Sequence, residues 1–339
     1  MNKKENETMN RKTMKRRKSL WLVMIMLITL MISACGTADS EPETVRIGSL
    51  KGPTSIGLVS LMNDSANGAT ENNYEFTMET AADTLLGQLV QGELDIVLVP
   101  ANVASVIYHK TEGGVSVIDI NTLGVLYMVS ADTSIQSMQD LAGKTIYLTG
   151  KGTTPDFVLQ YLLEANGMTE DDVTLEYKSE ATEVATVLAE QPDAVGLLPQ
   201  PFVTAATKQN ESLSIVLDLT EEWQKVQGAG GSSLVTGVTI VRNDFLEEHE
   251  EAVRAFLADH EASTVYANME IAATAELVVA QGIIEKAPSA EAAIPFCNIV
   301  YIDGEEMKTA LSGYLEVLME QNAEFIGGSL PEDEFYYVY

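Results

Sequence analysis

The chain has 339 residues, 46% of them hydrophobic, with 20 Lys+Arg against 50 Asp+Glu and a formal charge of −30. That length and apolar content support a large core in one or two lobes. So acidic a surface repels nucleic acid and anionic lipid headgroups, which excludes a nucleic-acid-binding role.

The chain opens on a basic stretch from Lys3 to Lys18, followed by the apolar run Leu20 to Ile32, broken only by Thr29. Basic region, short apolar region and small residues before a cleavage point describe an export signal. The run is well short of the roughly 20 residues that span a bilayer, which argues against a permanent transmembrane helix. It ends in Ile32-Ser33-Ala34-Cys35, which resembles a bacterial lipobox, where cleavage before the cysteine leaves it N-terminal and acylated. Residues 1–34 are therefore expected to be a lipoprotein signal peptide, Cys35 the lipidation site, and 35–42 a flexible tether. Acyl chains bind membrane at about 0.8 kcal/mol per buried CH₂, and stable anchoring takes two such signals.

The leader takes eight basic and two acidic side chains with it, so the mature chain carries a formal charge of −36. With Cys35 acylated, Cys297 in "IPFCNIVYI" has no partner for a disulfide and reads as a buried structural thiol.

From Arg46 onward, β-branched strands alternate with helical stretches, the pattern of an α/β fold. One arrangement occurs twice. "RIGSLKGPTSIGLVSLM" and "KTIYLTGKGTTPDFVLQYLLEANG" are each a strand, a Lys-Gly turn, a proline at the start of a helix, and an apolar helix face. "GELDIVLVPANVASVIYHK" and "EQPDAVGLLPQPFVTAATK" repeat a second unit of Asp, apolar strand, Pro turn and helix. Lys51 precedes Pro100 by 49 residues and Lys151 precedes Pro199 by 48. Two similar α/β lobes imply a cleft between them, and ligands of open α/β sheets sit outside the carboxyl ends of the strands. The segments "VSVIDINTLGVLYMVS" and "GVTIVRNDFLEEH" are long enough to cross between lobes and form a hinge. The expected first lobe is 43–129 plus 236–339, and the second 130–235.

The turn Lys51-Gly52-Pro53-Thr54 lacks the Gly-x-x-x-x-Gly-Lys-Ser/Thr spacing of a phosphate loop. It remains a helix start whose N–H groups and hydroxyl suit one polar ligand group, and its near-copy at Thr153-Thr154 favours binding over a plain cap. Lys51 and Lys151 read as solvated turn lysines, with a clamp across the cleft as the alternative. Trp223, the one tryptophan beyond the leader, either walls the cleft or packs a short helix. His249 and His260 fall on the apolar face of one helix and read as structural, since no zinc-ligand spacing accompanies them. Neither Gly-x-Ser-x-Gly nor His-Glu-x-x-His occurs, so no catalysis and no cofactor or metal are indicated.

The lipobox, the pattern "IQSMQDLAGKTIYLTGKGTTP", "GELDIVLVP" and "LLPQPFV" together resemble the substrate-binding lipoproteins of ABC importers. The group most similar is the nitrate, taurine, alkanesulfonate and thiamine-pyrimidine-precursor binders. The resemblance implies a two-lobed periplasmic-binding-protein fold of type II, which captures a small polar organic solute. It further implies delivery to an ABC permease and its ATPase, and a monomer outside the cytoplasm, lipid-anchored to the cell membrane. Candidate ligand-binding residues are Gly52, Pro53, Thr54 and Ser55 in the first turn, Pro100, Ala101 and Asn102 in the second, and Thr122 in the first crossover. Thr153, Thr154, Gln200 and Trp223 complete the set. Many relatives have an acidic residue where this chain has Gln200. An enzyme of the same fold, of the pyrimidine synthase or dehydratase type, and a sensory receptor presenting its ligand are the alternatives.

Overall fold

The computed structural model describes residues 42–339 except 192, 229 and 230. The chain divides into two units, Met1–Pro42 and Glu43–Tyr339. The expected signal peptide and Cys35 lie outside the described residues, and the fold is that of the second unit. Among the described residues no helix is long and apolar enough to cross a membrane.

The first repeat runs β1 (Thr44–Leu50), α1 (Pro53–Ile56), α2 (Val59–Ala66), β2 (Asn73–Glu79), α3 (Ala82–Val90), β3 (Ile96–Pro100) and α4 (Ala101–Lys110). Two strands come next, β4 (Val115–Leu123) and β5 (Leu126–Ser130). The second repeat is β6 (Thr145–Thr149), α5 (Thr154–Ala165), β7 (Thr174–Lys178), α6 (Ala181–Glu190), β8 (Val195–Pro199) and α7 (Phe202–Gln209). Then come β9 (Ser214–Asp218), α8 (Leu219–Gln227), β10 (Val235–Arg242), α9 (Asn243–Glu248), α10 (Glu250–Met269), α11 (Ile271–Ala280) and α12 (Ala287–Ala293). β11 (Ile299–Ile302) and α13 (Gly304–Gln321) complete the main elements. Pro53 and Pro155 each sit at the start of a helix, where a missing N–H costs nothing.

The repeat is a repeat of register. Thr44 pairs with Asn73 and Thr145 with Thr174, both in parallel and both 29 residues apart. Ile47 pairs with Ile96 and Ile146 with Val195, both 49 residues apart. The one-residue difference between the two turn spacings comes from an extra residue at Gly150. That residue lies at φ +73°, with the Thr153 hydroxyl where a Cβ would go, so only glycine fits.

The first sheet has the order β11-β4-β10-β3-β1-β2 and the second β7-β6-β8-β5-β9. In each, three parallel strands are followed by an antiparallel one: β10 beside β3 and β5 beside β8. β5 enters the second sheet directly from β4, and β10 enters the first after β9 and α8, so the chain crosses twice. The first crossing falls at Gly124-Val125, which moves Leu126 to Val129 from the expected first lobe into the second sheet. Five residues of unbroken pairing with β8 decide the matter, where the sequence showed only one apolar run.

The core contains Trp223, which is fully buried between Tyr161 and Tyr314, with ring centroids 4.6 and 5.6 Å away. Its Nε1 donates to the Ser232 carbonyl at 2.9 Å. The tryptophan is thus a core residue that ties α8 to α13, and its candidacy as a cleft wall is corrected. Its indole N–H is satisfied and no face is left to a ligand.

Asp95, fully buried before β3, accepts from the Arg46 backbone N–H (2.9 Å) and from Arg46 Nε and Nη2 (2.9 and 2.5 Å). Arg242 on β10 adds a fourth contact at 3.2 Å. One carboxylate therefore pins β1, β3 and β10. Asp95→Ala removes it and leaves the Arg46 guanidinium without its carboxylate and Arg242 with the exposed Asp244 alone, so unfolding in urea is expected to show a loss of about 3 kcal/mol.

Cys297 is buried, its Sγ donating to the Ala293 carbonyl at 3.3 Å, and burial pushes the thiol up to about 12. Because the folded value is raised, the neutral thiol's contribution is complete below the unfolded value near 9 and is lost as pH rises toward 12. At pH 8 a disulfide reagent should label one thiol fewer in native than in guanidinium-unfolded protein. Equal labelling would show the thiol to be open.

Candidate functional site

The predicted site residues other than Trp223 lie at the carboxyl ends of β1, β3, β6 and β8 and at the first crossing, where strands stop and helices begin. Thr54 and Ser55 start α1, directly after β1. Thr54 Oγ1 donates to the Leu50 carbonyl at 3.0 Å, and Ser55 Oγ lies 2.5 Å from the same oxygen and 2.7 Å from Ser49 Oγ. Thr54 is nearly buried and Ser55 wholly so, while Gly52 and Pro53 are half-exposed. The helix they begin has only four residues before Gly57 and Leu58 interrupt it. Its dipole is correspondingly small.

Pro100 ends β3, and Ala101 and Asn102 open the ten-residue α4. Across the gap, Thr154 opens the twelve-residue α5, and its Oγ1 lies 3.4 Å from Asn102 Oδ1. This contact joins residues from the two repeats, as the repeat pattern requires of a shared cleft. Nearby, Phe157 and Phe325 stack with centroids 3.3 Å apart, and Gln321 Nε2 donates to the Phe157 carbonyl at 3.2 Å. Thr153 is exposed and turned back, donating to the Gly150 carbonyl at 2.6 Å.

Thr122, fully buried at the end of β4, donates to Asn121 Oδ1 at 2.9 Å. A side chain on Gly237 would meet Asn121 Oδ1, the Thr54 methyl and Thr122 Cβ within 2.5 to 3.2 Å, so these three residues converge where β10 begins. Gln200, buried at the end of β8, bonds through its backbone N–H to the Val125 carbonyl at 3.0 Å, beside the crossing. Its Oε1 accepts from Thr204 Oγ1 at 2.9 Å, and its Nε2 has no partner among the described residues. Thr220 Oγ1 and Thr236 Oγ1 are likewise buried without a partner among the described residues, and the Thr220 hydroxyl lies against Gly124. Buried polar atoms without partners are rare because each costs about 1–3 kcal/mol. Those of Gln200, Thr220 and Thr236 all belong to residues near the chain crossings.

A buried polar chain that sequence reasoning missed runs inward from Thr122. Asn121 Nδ2 donates to Thr239 Oγ1 (3.1 Å), Thr239 Oγ1 donates to Asp119 Oδ1 (2.8 Å), and Asp119 Oδ2 lies 3.2 Å from His260 Nδ1. The signal was the alternation "IDINT", which places Asp119 and Asn121 on one face of a strand otherwise apolar. His260 is therefore structural. His249 lies apart, its Nδ1 3.4 Å from Glu43. Among the described residues no three His, Cys, Asp or Glu side chains gather as metal ligands would.

Lys51 and Lys151 are exposed, and Lys151 Nζ lies 5.2 Å from the centre of the Tyr177 ring. Two open cavities, of about 290 and 760 Å³, lie elsewhere; the larger runs between the end of α8 and α13, and neither is lined by a predicted site residue.

Residues 112–270 match the family described as NMT1/THI5 like. No curated protein matches the chain. Among solved structures, an ABC transporter protein from Parabacteroides distasonis is 21% identical with a TM-score of 0.72, covering 87% of this chain and 98% of its own. The periplasmic aliphatic sulphonate-binding protein SsuA from Escherichia coli is 14% identical at a TM-score of 0.66, with 83% and 88% covered. The periplasmic nitrate-binding protein NrtA from Synechocystis PCC 6803 is 12% identical at 0.58, with 83% and 82% covered. The double crossing, the duplicated register and the structural matches agree: the chain has the two-lobed fold of periplasmic binding proteins, and its residues 112–270 are similar to the NMT1/THI5-like family.

Proposed function

We propose that this chain is the solute-binding lipoprotein of an ABC importer. It captures a small polar organic molecule between its two sheets and hands it to a membrane permease with its ATPase. The observation that carries the reading is the meeting of the two repeats at Asn102 and Thr154, together with the buried amide of Gln200 at the end of β8, whose Nε2 has no partner among the described residues. A group of that kind is satisfied by a ligand or by water. The sulphonate and nitrate binders among the structural neighbours support the same role.

In this reading residues 1–34 direct export, Cys35 bears the lipid, 35–42 tether the body, and the lobe built on the first sheet closes against the lobe built on the second. The protein works as a monomer outside the cytoplasm and performs no chemistry on its cargo.

Native mass spectrometry of the purified full chain should reveal a co-captured small molecule, and titration with that molecule should give micromolar affinity or better, about −8 kcal/mol. Thr54→Val should weaken binding about tenfold, a change of about 1.4 kcal/mol, while the protein stays folded. Unchanged affinity would make Thr54 a plain helix-start residue, and turnover of the captured molecule would make the chain an enzyme.

A further inference from the structure

We infer that the cleft selects its solute by hydrogen-bond polarity: it receives a neutral or cationic molecule that brings N–H donors, such as an amine, amide or amidine, and disfavours an acceptor-only oxyanion. The inference rests on the solute-binding reading above and names the chemical class that reading leaves open.

A hydroxyl has one proton to give and two lone pairs. Every threonine hydroxyl of the candidate site gives its proton to the protein: Thr54 to the Leu50 carbonyl, Thr122 to Asn121 Oδ1, Thr153 to the Gly150 carbonyl and Thr154 to Asn102 Oδ1. What these oxygens have left for a ligand is lone pairs.

The direction at Thr122 is set from within. Asp119 and His260 are fully buried, and the Asp119 carboxylate accepts the Thr239 proton. Thr239 Oγ1 then has only lone pairs to offer Asn121, so Asn121 must turn its NH₂ toward it. Its Oδ1 is thereby presented to Thr122, whose proton is drawn inward in turn. A reversed Asn121 would set two acceptors against each other in the core.

Charge argues the same way. The first turn of α5 already holds a buried carboxylate, Asp156, which accepts from Gly152 N–H and from Tyr177 O–H, both at 2.7 Å, and from Gln160 Nε2 at 3.0 Å. An oxyanion arriving at this helix start would meet that negative charge. The Gly152 N–H is committed to Asp156, and the Thr153 N–H to the Gly150 carbonyl. No Lys or Arg belongs to the candidate set, and both turn lysines are exposed. The side-chain donors left over are Gln200 Nε2, whose orientation is fixed because Oε1 accepts from Thr204, and the buried hydroxyls of Thr220 and Thr236; the uncapped first N–H groups of α4 stand beside Ala101 and Asn102. The fitting solute therefore presents several donors and at least one acceptor.

The test is a thermal-shift and calorimetric comparison on the full chain. One panel holds guanidine, amidines, amides and primary amines; the other holds nitrate, sulfate, alkanesulfonates and simple carboxylates. The expected result is binding within the first panel, at least tenfold tighter than any member of the second. An oxyanion that binds as tightly as the best donor solute overturns the polarity inference and leaves the solute-binding reading standing. Binding by neither panel overturns the solute-binding reading itself, and the inference with it. Thr239→Val cuts the inward chain and frees Asn121 to turn and the Thr122 proton to face a ligand. It should narrow the preference between the panels about tenfold, whereas an equal change for both would show that Thr239 only supports the fold.

Discussion

Neither sheet can be completed without chain from the other. β10 lies between β3 and β4 in the first sheet but reaches it only after the second repeat, and β5 lies between β8 and β9 in the second but comes directly from β4. Each is an interior strand, bonded on both edges, so removing either splits a sheet in two. This exchange confines the connections between halves to two crossings and places the carboxyl ends of β3 and β8 beside them. The crossings are close-set: Val235 pairs with Leu123, and a side chain on Gly124 would meet Leu234. The candidate site is where it is because the strand exchange leaves strand ends there.

The same place concentrates the polar groups that the interior of the fold would otherwise exclude. Elsewhere buried charge is matched within the protein, as Asp95 is by Arg46 and Arg242. Near the crossings, by contrast, a carboxylate and a histidine are carried into the core on β4 and α10, and their hydrogen bonds run outward through Thr239 and Asn121 to Thr122. A low-dielectric interior makes such a chain strongly directional, because every member must find a partner of opposite polarity. A side chain that touches none of the candidate turns can thus decide what a site residue offers its ligand.

The sequence made the duplication legible because it left repeated turn residues, Lys-Gly and Pro, at matched spacing, and the parallel registers follow from the same spacing. It made Thr54, Asn102 and Thr154 legible through the turns that hold them. Trp223 was ambiguous because an aromatic on a short amphipathic helix suits a core and a wall equally, and the deciding neighbours, Tyr161 and Tyr314, are far away in sequence. The first crossing was misplaced by a few residues because "VLYMVS" is apolar throughout, and only its pairing with β8 shows which sheet owns it. Asn121 and Thr239 could not be joined from sequence, since they are 118 residues apart and meet only through the antiparallel pairing of β4 and β10.

Equal architecture has not kept the two jaws equal. The first turn leads into four residues of helix with no acidic side chain in it; the second leads into twelve residues with Asp156 in the first turn. The longer helix has the larger positive end, and it is the one that carries its own buried counter-charge. The shorter one needs none. Both starts are therefore electrostatically quiet before any ligand arrives, one by truncation and one by neutralisation. The two Lys-Gly turns thus reach the same weak pull on an anion by different means, and the helix start that keeps its positive end is that of the ten-residue α4 at Ala101 and Asn102, which has no acidic side chain in its first turn.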